Sequence, residues 1–321
     1  MTYLPPFILR NGHIQSIYPS LFRKTRSIEF ERERITTPDN DFLDLDWLKQ
    51  GNKRIVILSH GLEGNSRRPY IVGMADYASE HNWDALAWNY RGCSGTPNKH
   101  AHSYHSGKTE DFALIIEHAL KHQYEEIALI GFSIGGNKTL LHLGRNHEHI
   151  SERVIAAAAL SVPCDLKSSS AHLAQLSHKV YMKNFLNSFK QKLKEKEQLF
   201  PEIINTNDFQ KLKNFKDFDG RYTAPLNGFK SAEEYWETSS SLFYLDKIKV
   251  PSLILSALDD PFLPDECYPI EQASKNNYIT LEMPKYGGHV GFMPEKPSST
   301  YYSERRVIEF INGFSQIKDK Y

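Results

Sequence analysis

Ser133 lies in Gly131-Phe132-Ser133-Ile134-Gly135-Gly136, after a short apolar run and before a helical pattern. Glycines two positions to either side leave room for a sharp strand-to-helix turn that holds a serine in a strained conformation. The helix that starts there points its positive end at developing negative charge. A serine hydroxyl needs a base to take its proton before it can attack. Of fourteen histidines, His289 is the candidate, in "MPKYGGHVGFMP" after the last strand-like run and before the last helical one. A third group must orient that imidazole. "SALDDPFLP" offers Asp260, whose turn is stiffened by the Pro-Phe-Leu-Pro that follows. Asp259 is the alternative and Asp165, in "VPCDL", a more distant one. An oxyanion needs two backbone donors, each contributing about 2.7–4 kcal/mol to the transition state. Ile134 N–H, next to the serine, supplies one, and Leu62 N–H in "LSHGLEGNS" the other, with His60 as a structural residue.

Positioning such a set requires a sheet. Apolar, β-branched runs at 54–59, 84–90, 126–131, 154–161, 251–257 and 278–284 alternate with helical patterns at 69–80, 108–122, 134–146 and 303–316. Such βα alternation builds a mostly parallel sheet flanked by helices, an α/β fold. "SIEFERERITT" and "DFLDLDWLK" read as an N-terminal antiparallel pair. The rhythm breaks over 165–249, which is lysine-rich with no strand-like run, so the core is 1–164 with 250–321 and the insertion is a helical lid. Tyr181, Phe185, Phe189 and Leu193 recur every four residues and share one helical face. Lys179, Lys183, Lys190 and Lys194 form a basic face that reads as solvated lid surface in preference to a peripheral membrane contact.

Composition narrows the class. The chain has 321 residues, 39 basic and 39 acidic, a balance that gives no footing for coating nucleic acid. The start lacks a secretory layout, and no apolar run approaches the ~18 residues of a membrane span. Cys93, Cys164 and Cys267 are far apart without CxxC spacing, which reads as reduced thiols of a cytoplasmic protein. Cys93 in "YRGCSG" reads as a packed turn residue. His100, His102 and His105 have no partner at zinc-finger spacing and read as loop residues, so no metal is implied. No GxxxxGK[ST] or GxGxxG motif occurs, and no organic cofactor is implied.

"NGHIQSIYPSLFRK", "HGLEGNS", "NYRGCSGTPN", "YHSGKTEDF", "GFSIGGNKTL", "FDGRYTAPLNGF", "SALDDPF" and "GGHVGFM" together resemble the α/β-hydrolases, and within them the YheT-like branch. The likeness spans nearly the whole chain. It implies a Ser133–Asp260–His289 triad and esterase- or thioesterase-like activity on small-molecule acyl substrates; eukaryotic members of that branch resemble medium-chain acyl esterases, phospholipases or acyl transferases. The expected function is therefore a serine esterase working through an acyl-enzyme on short- to medium-chain acyl esters. Acyl transfer to an alcohol, or a non-catalytic module on the same scaffold, are the other readings.

Overall fold

The computed structural model describes residues 3–296 and 300–317. Eight strands form one sheet: β1 (Glu31–Thr36), β2 (Phe42–Leu48), β3 (Arg54–Ser59), β4 (Asp84–Asn89), β5 (Glu126–Phe132), β6 (Val154–Leu160), β7 (Ser252–Leu255) and β8 (Ile279–Glu282). Their order is β1-β2-β4-β3-β5-β6-β7-β8. β1 and β2 pair antiparallel, as does β2 with β4; every later pair is parallel. The helices are α1 (Gly12–Phe22), α2 (Pro69–Ser79), α3 (Glu110–Lys121), α4 (Ile134–Arg145), α5 (Leu166–Leu173), α6 (Lys179–Leu199), α7 (Phe215–Phe218), α8 (Ala224–Leu226), α9 (Ala232–Ser239), α10 (Ile270–Lys275) and α11 (Tyr302–Asn312).

The central strands are apolar throughout because helices cover both faces of the sheet. Alternate residues divide between two cores. Ile55, Ile57, Leu86, Trp88, Ile127 and Leu129 face α3 and α4, with Phe112 and Leu140. Val56, Leu58, Ala85, Ala128, Ile130 and Leu253 face α2 and α11, with Met74 and Val307. The alanines of β6 keep that strand thin enough for helices to approach on both sides.

Element limits differ from the sequence expectation by a few residues, for local reasons. β7 starts at Ser252 because Pro251 has no N–H to donate. β8 ends at Glu282, two residues before Pro284. The last helix ends at Asn312, four residues short of expectation, where Gly313 caps it. Over 165–249 the chain forms five helices and contributes no strand. Phe189, Leu193, Ile204, Phe209 and Tyr222 make a separate apolar cluster there. Lys179, Lys183 and Lys194 are exposed and Lys190 half-buried, while Phe189 and Leu193 of the same helix are buried.

An ion cluster around buried Arg91 fixes the first hairpin. Arg91 donates to both Asp111 oxygens at 2.8 Å, to Asp39 at 2.7 Å and to Asp41 at 3.0 Å. It thereby ties the β1–β2 turn to the start of α3. Burial opposes ionisation of Asp39, but hydrogen bonds from Arg91 and Thr37 hold its carboxyl well below the usual range. Burial likewise opposes ionisation of Asp41, and donors from Lys99, Asn98 and Phe42 outweigh it. Both folded pKa values are depressed, so the stability they confer is complete above the unfolded value of about 3.9 and is lost as pH falls below it. Arg91→Ala is expected to cost about 3–5 kcal/mol, because it strands buried carboxylates. Urea denaturation at neutral pH measures the loss, and the variant should show a shallower acid limb than the parent.

Candidate active site

β5 delivers Ser133 at φ 55°, ψ −123°, on the turn into α4. A non-glycine residue there is strained and is held by its surroundings. Ser133 N–H donates to Leu160 O at 2.8 Å, which anchors the turn to β6. The flanking glycines are steric requirements. A Cβ on Gly131 would overlap the backbone of Gly135, and one on Gly135 would overlap the carbonyls of Ser59 and His60.

The loop after β8 brings His289 against the serine. Its Nε2 stands 2.9 Å from Ser133 Oγ, and its Nδ1 stands 2.9 and 3.1 Å from the two Asp260 oxygens. Asp260 follows β7, is 4% exposed and also accepts Phe262 N–H at 2.9 Å. The Phe262 ring stacks on the imidazole with 4.1 Å between centroids. Asp259 instead accepts Gly288 N–H at 2.8 Å, and Asp165 caps α5. Among the described residues, therefore, Asp260 is the candidate carboxylate within reach of His289. Neither the Leu62 N–H nor the Ile134 N–H donates to another group among the described residues. Ile134 opens a helix, where the first N–H groups have no intrahelical acceptor.

His60 is fully buried, and burial pushes its pKa down to about 3. Nδ1 donates to Gly61 O at 2.8 Å and Nε2 accepts Tyr90 N–H at 3.2 Å, so a neutral imidazole braces the loop before Leu62. Glu63, at φ 54°, holds the other side of that loop. Its N–H donates to Tyr104 Oη at 2.9 Å, while its carboxylate accepts from Tyr104 at 2.8 Å and from Lys192 of α6 at 2.9 Å. Lys192 Nζ also donates to Cys93 Sγ at 3.0 Å, so Cys93 does more than fill the turn. His100 Nε2 donates to the Asp39 carbonyl at 2.7 Å and its ring stacks on that of His102, while His105 packs edge-on against Phe229 and Tyr235.

Several contributors were not singled out from the sequence. Ser16 of α1 accepts His289 N–H at 2.7 Å, and Gln15 accepts Met293 N–H at 3.0 Å. A Cβ on Gly12 would overlap the Asp259 carbonyl, so α1 lies directly on the loops that carry Asp260 and His289. The i, i+4 spacing of Gly12 and Ser16 within "NGHIQSIYP" was the available signal. Gly12→Val is expected to lower kcat/KM about 100-fold by displacing those loops by about 1 Å, read against unchanged far-UV circular dichroism. The "YHSGKTED" block also finds a role. Buried Lys138 of α4 donates to His105 O at 2.9 Å and Lys108 O at 2.6 Å, fastening the block to the helix behind Ser133.

Above Ser133 and His289 lies a cavity walled by Leu166, Leu173, Phe185, Phe189, Phe215 and Phe262. Asp219, from "FDGRYTAPLNGF", lines it and also an adjoining cavity that extends between α6 and Tyr104. Burial pushes the Asp219 carboxyl up to about 6, against hydrogen bonds from Thr223 and Trp236.

A strand–turn–helix serine, facing a histidine and an aspartate from later loops on a mostly parallel sheet, defines the α/β-hydrolase class. The chain belongs to that family: the family model for the alpha/beta hydrolase fold matches residues 54–296. Within it the chain is YheT-like, being 31% identical over 299 residues to the putative esterase YheT of Escherichia coli K12, which covers 91% of this chain and 87% of that one. It is 26% identical to phospholipase ABHD3 of Mus musculus, covering 97% of this chain and 78% of that one. It is 27% identical to the monoacylglycerol lipase of Saccharomyces cerevisiae, covering 84% and 60% respectively. The Pyrococcus furiosus esterase Pf2001 shares the fold, with TM-score 0.63 at 18% identity over 90% of this chain and 91% of that one.

Proposed function

We propose that the protein is a serine esterase that cleaves carboxylic esters through an acyl-enzyme. The observation that carries this reading is the continuous contact Ser133 Oγ to His289 Nε2 at 2.9 Å and His289 Nδ1 to Asp260 at 2.9 Å. His289 takes the Ser133 proton on Nε2 as Oγ attacks the acyl carbon. Asp260 accepts from Nδ1–H, fixing the tautomer and stabilising the imidazolium. The Leu62 and Ile134 N–H groups donate to the oxyanion. Collapse breaks the ester C–O bond, and the alcohol leaves with the proton from Nε2. Water, deprotonated by the same nitrogen, then releases the acid and restores Ser133.

The apolar cavity receives the acyl chain, and 165–249 caps it, with α6 setting its depth through Phe185 and Phe189. The relatives' names, esterase, phospholipase and monoacylglycerol lipase, support ester cleavage. A p-nitrophenyl ester series tests the reading. Turnover is expected with a maximum at short to medium acyl chains; absence of hydrolysis at every length contradicts it.

A further inference from the structure

Glu33, His118 and His122 form a second cluster, on the β1 edge of the sheet. His118 and His122 are four residues apart on α3 and so project from one helix face. Glu33 reaches them from β1. His118 Nε2 stands 3.0 Å from Glu33 Oε2 and 3.4 Å from His122 Nε2, and one donor atom from each residue lies within 4.8 Å of the others. All three side chains are partly exposed, so an ion can reach them from solvent.

Protons alone serve this arrangement poorly. The single proton on His118 Nε2 points either to Glu33 or to His122, yet both acceptors crowd the same nitrogen. A divalent cation in that space satisfies three lone pairs at once. Tetrahedral zinc with bonds of about 2.0–2.1 Å separates its ligand atoms by about 3.3–3.4 Å. The observed 3.0 and 3.4 Å separations bracket that edge. A supporting shell is present as well: Trp47 Nε1–H donates to Glu33 Oε2 at 2.8 Å, and its ring packs 6.1 and 4.8 Å from the two imidazoles. Such outer partners orient metal ligands. Lys49, 4.4 Å over the Trp47 ring, is the cation that opposes a metal there. Two imidazoles with one carboxylate suit zinc and its first-row neighbours better than magnesium or calcium.

We propose that Glu33, His118 and His122 bind one divalent first-row cation of the zinc type, with solvent in the fourth position. The ion staples the edge strand β1 to α3. No residue of this cluster belongs to the proposed ester-cleaving site, so its role is structural and independent of that reading.

The test uses the full-length chain, stripped with a chelator and titrated with Zn²⁺ by calorimetry. One saturable equivalent is expected, and a rise of a few degrees in melting temperature at about 100-fold excess over Kd. His122→Ala and Glu33→Gln should each weaken binding at least about 10-fold, and Trp47→Phe, which removes the indole donor together with part of a buried ring, about 10-fold. The pair His100→Ala with His102→Ala should leave it unchanged. Absence of saturable binding, or binding that survives both His122→Ala and Glu33→Gln, overturns the proposal. So does loss of binding only in the His100/His102 variant. Glu33→Gln keeps shape and volume, so the test stands even if one histidine variant folds poorly.

Discussion

Ser133→Ala is expected to lower ester turnover by about 10⁶-fold, to the level left by oxyanion donors and binding alone. The change removes one oxygen at a position whose backbone is fixed by the Leu160 carbonyl and by Gly131 and Gly135. The fold should therefore survive, with a melting temperature close to the parent's. The cavity is untouched, so the substrate's dissociation constant, read by equilibrium binding of an uncleaved ester to the variant, should change little. A fall of less than about 100-fold would mean that another group supplies the nucleophile, since donors alone cannot replace the covalent step.

The second large effect falls on the carboxylates. Asp260→Asn is expected to reduce kcat about 10⁴-fold with a small change in KM, because the amide can donate to Nδ1 and hold the wrong imidazole tautomer. Asp259→Asn touches Gly288 N–H and not the ring, so its effect should be far smaller. Steady-state kinetics of the two variants side by side separates them. An equal loss in both would mean that loop placement, and not proton orientation, is what the pair contributes.

Much of this arrangement was legible beforehand for physical reasons. Strands buried on both faces write continuous apolar runs, so β3 through β7 stood out. The serine turn announces itself because Gly131 and Gly135 admit no Cβ, a local constraint that must appear as glycine. The choice between Asp259 and Asp260 stayed open because adjacent residues project in different directions after a turn, and only the packed loop decides which one meets His289. The contribution of α1 was hidden for the opposite reason. Ser16 and Gln15 act across more than 270 residues of chain, and nothing local marks a serine or glutamine that accepts a distant backbone N–H. The same holds for Lys192, whose value lies in Glu63 and Cys93, and for the His118–His122 pair, which gains meaning only from Glu33 on β1.

The Val290 backbone, at φ 59°, shows how firmly the histidine loop is held. A β-branched residue there is strained, and its N–H is secured by Ser161 Oγ at 2.8 Å. With Ser16 on one side and Ser161 on the other, His289 sits between two hydroxyl acceptors that fix its loop before any substrate arrives. Such fixed geometry is what a positioned base requires.

In the proposed mechanism Ser133, and no other residue, becomes acylated during turnover. Intact-mass measurement after incubation with a fluorophosphonate tests it, because that reagent captures a serine only where a base has activated it. One adduct per chain is expected, on the peptide carrying Gly131 to Gly136, and none in Ser133→Ala. No adduct, or an adduct that persists in Ser133→Ala, would contradict it.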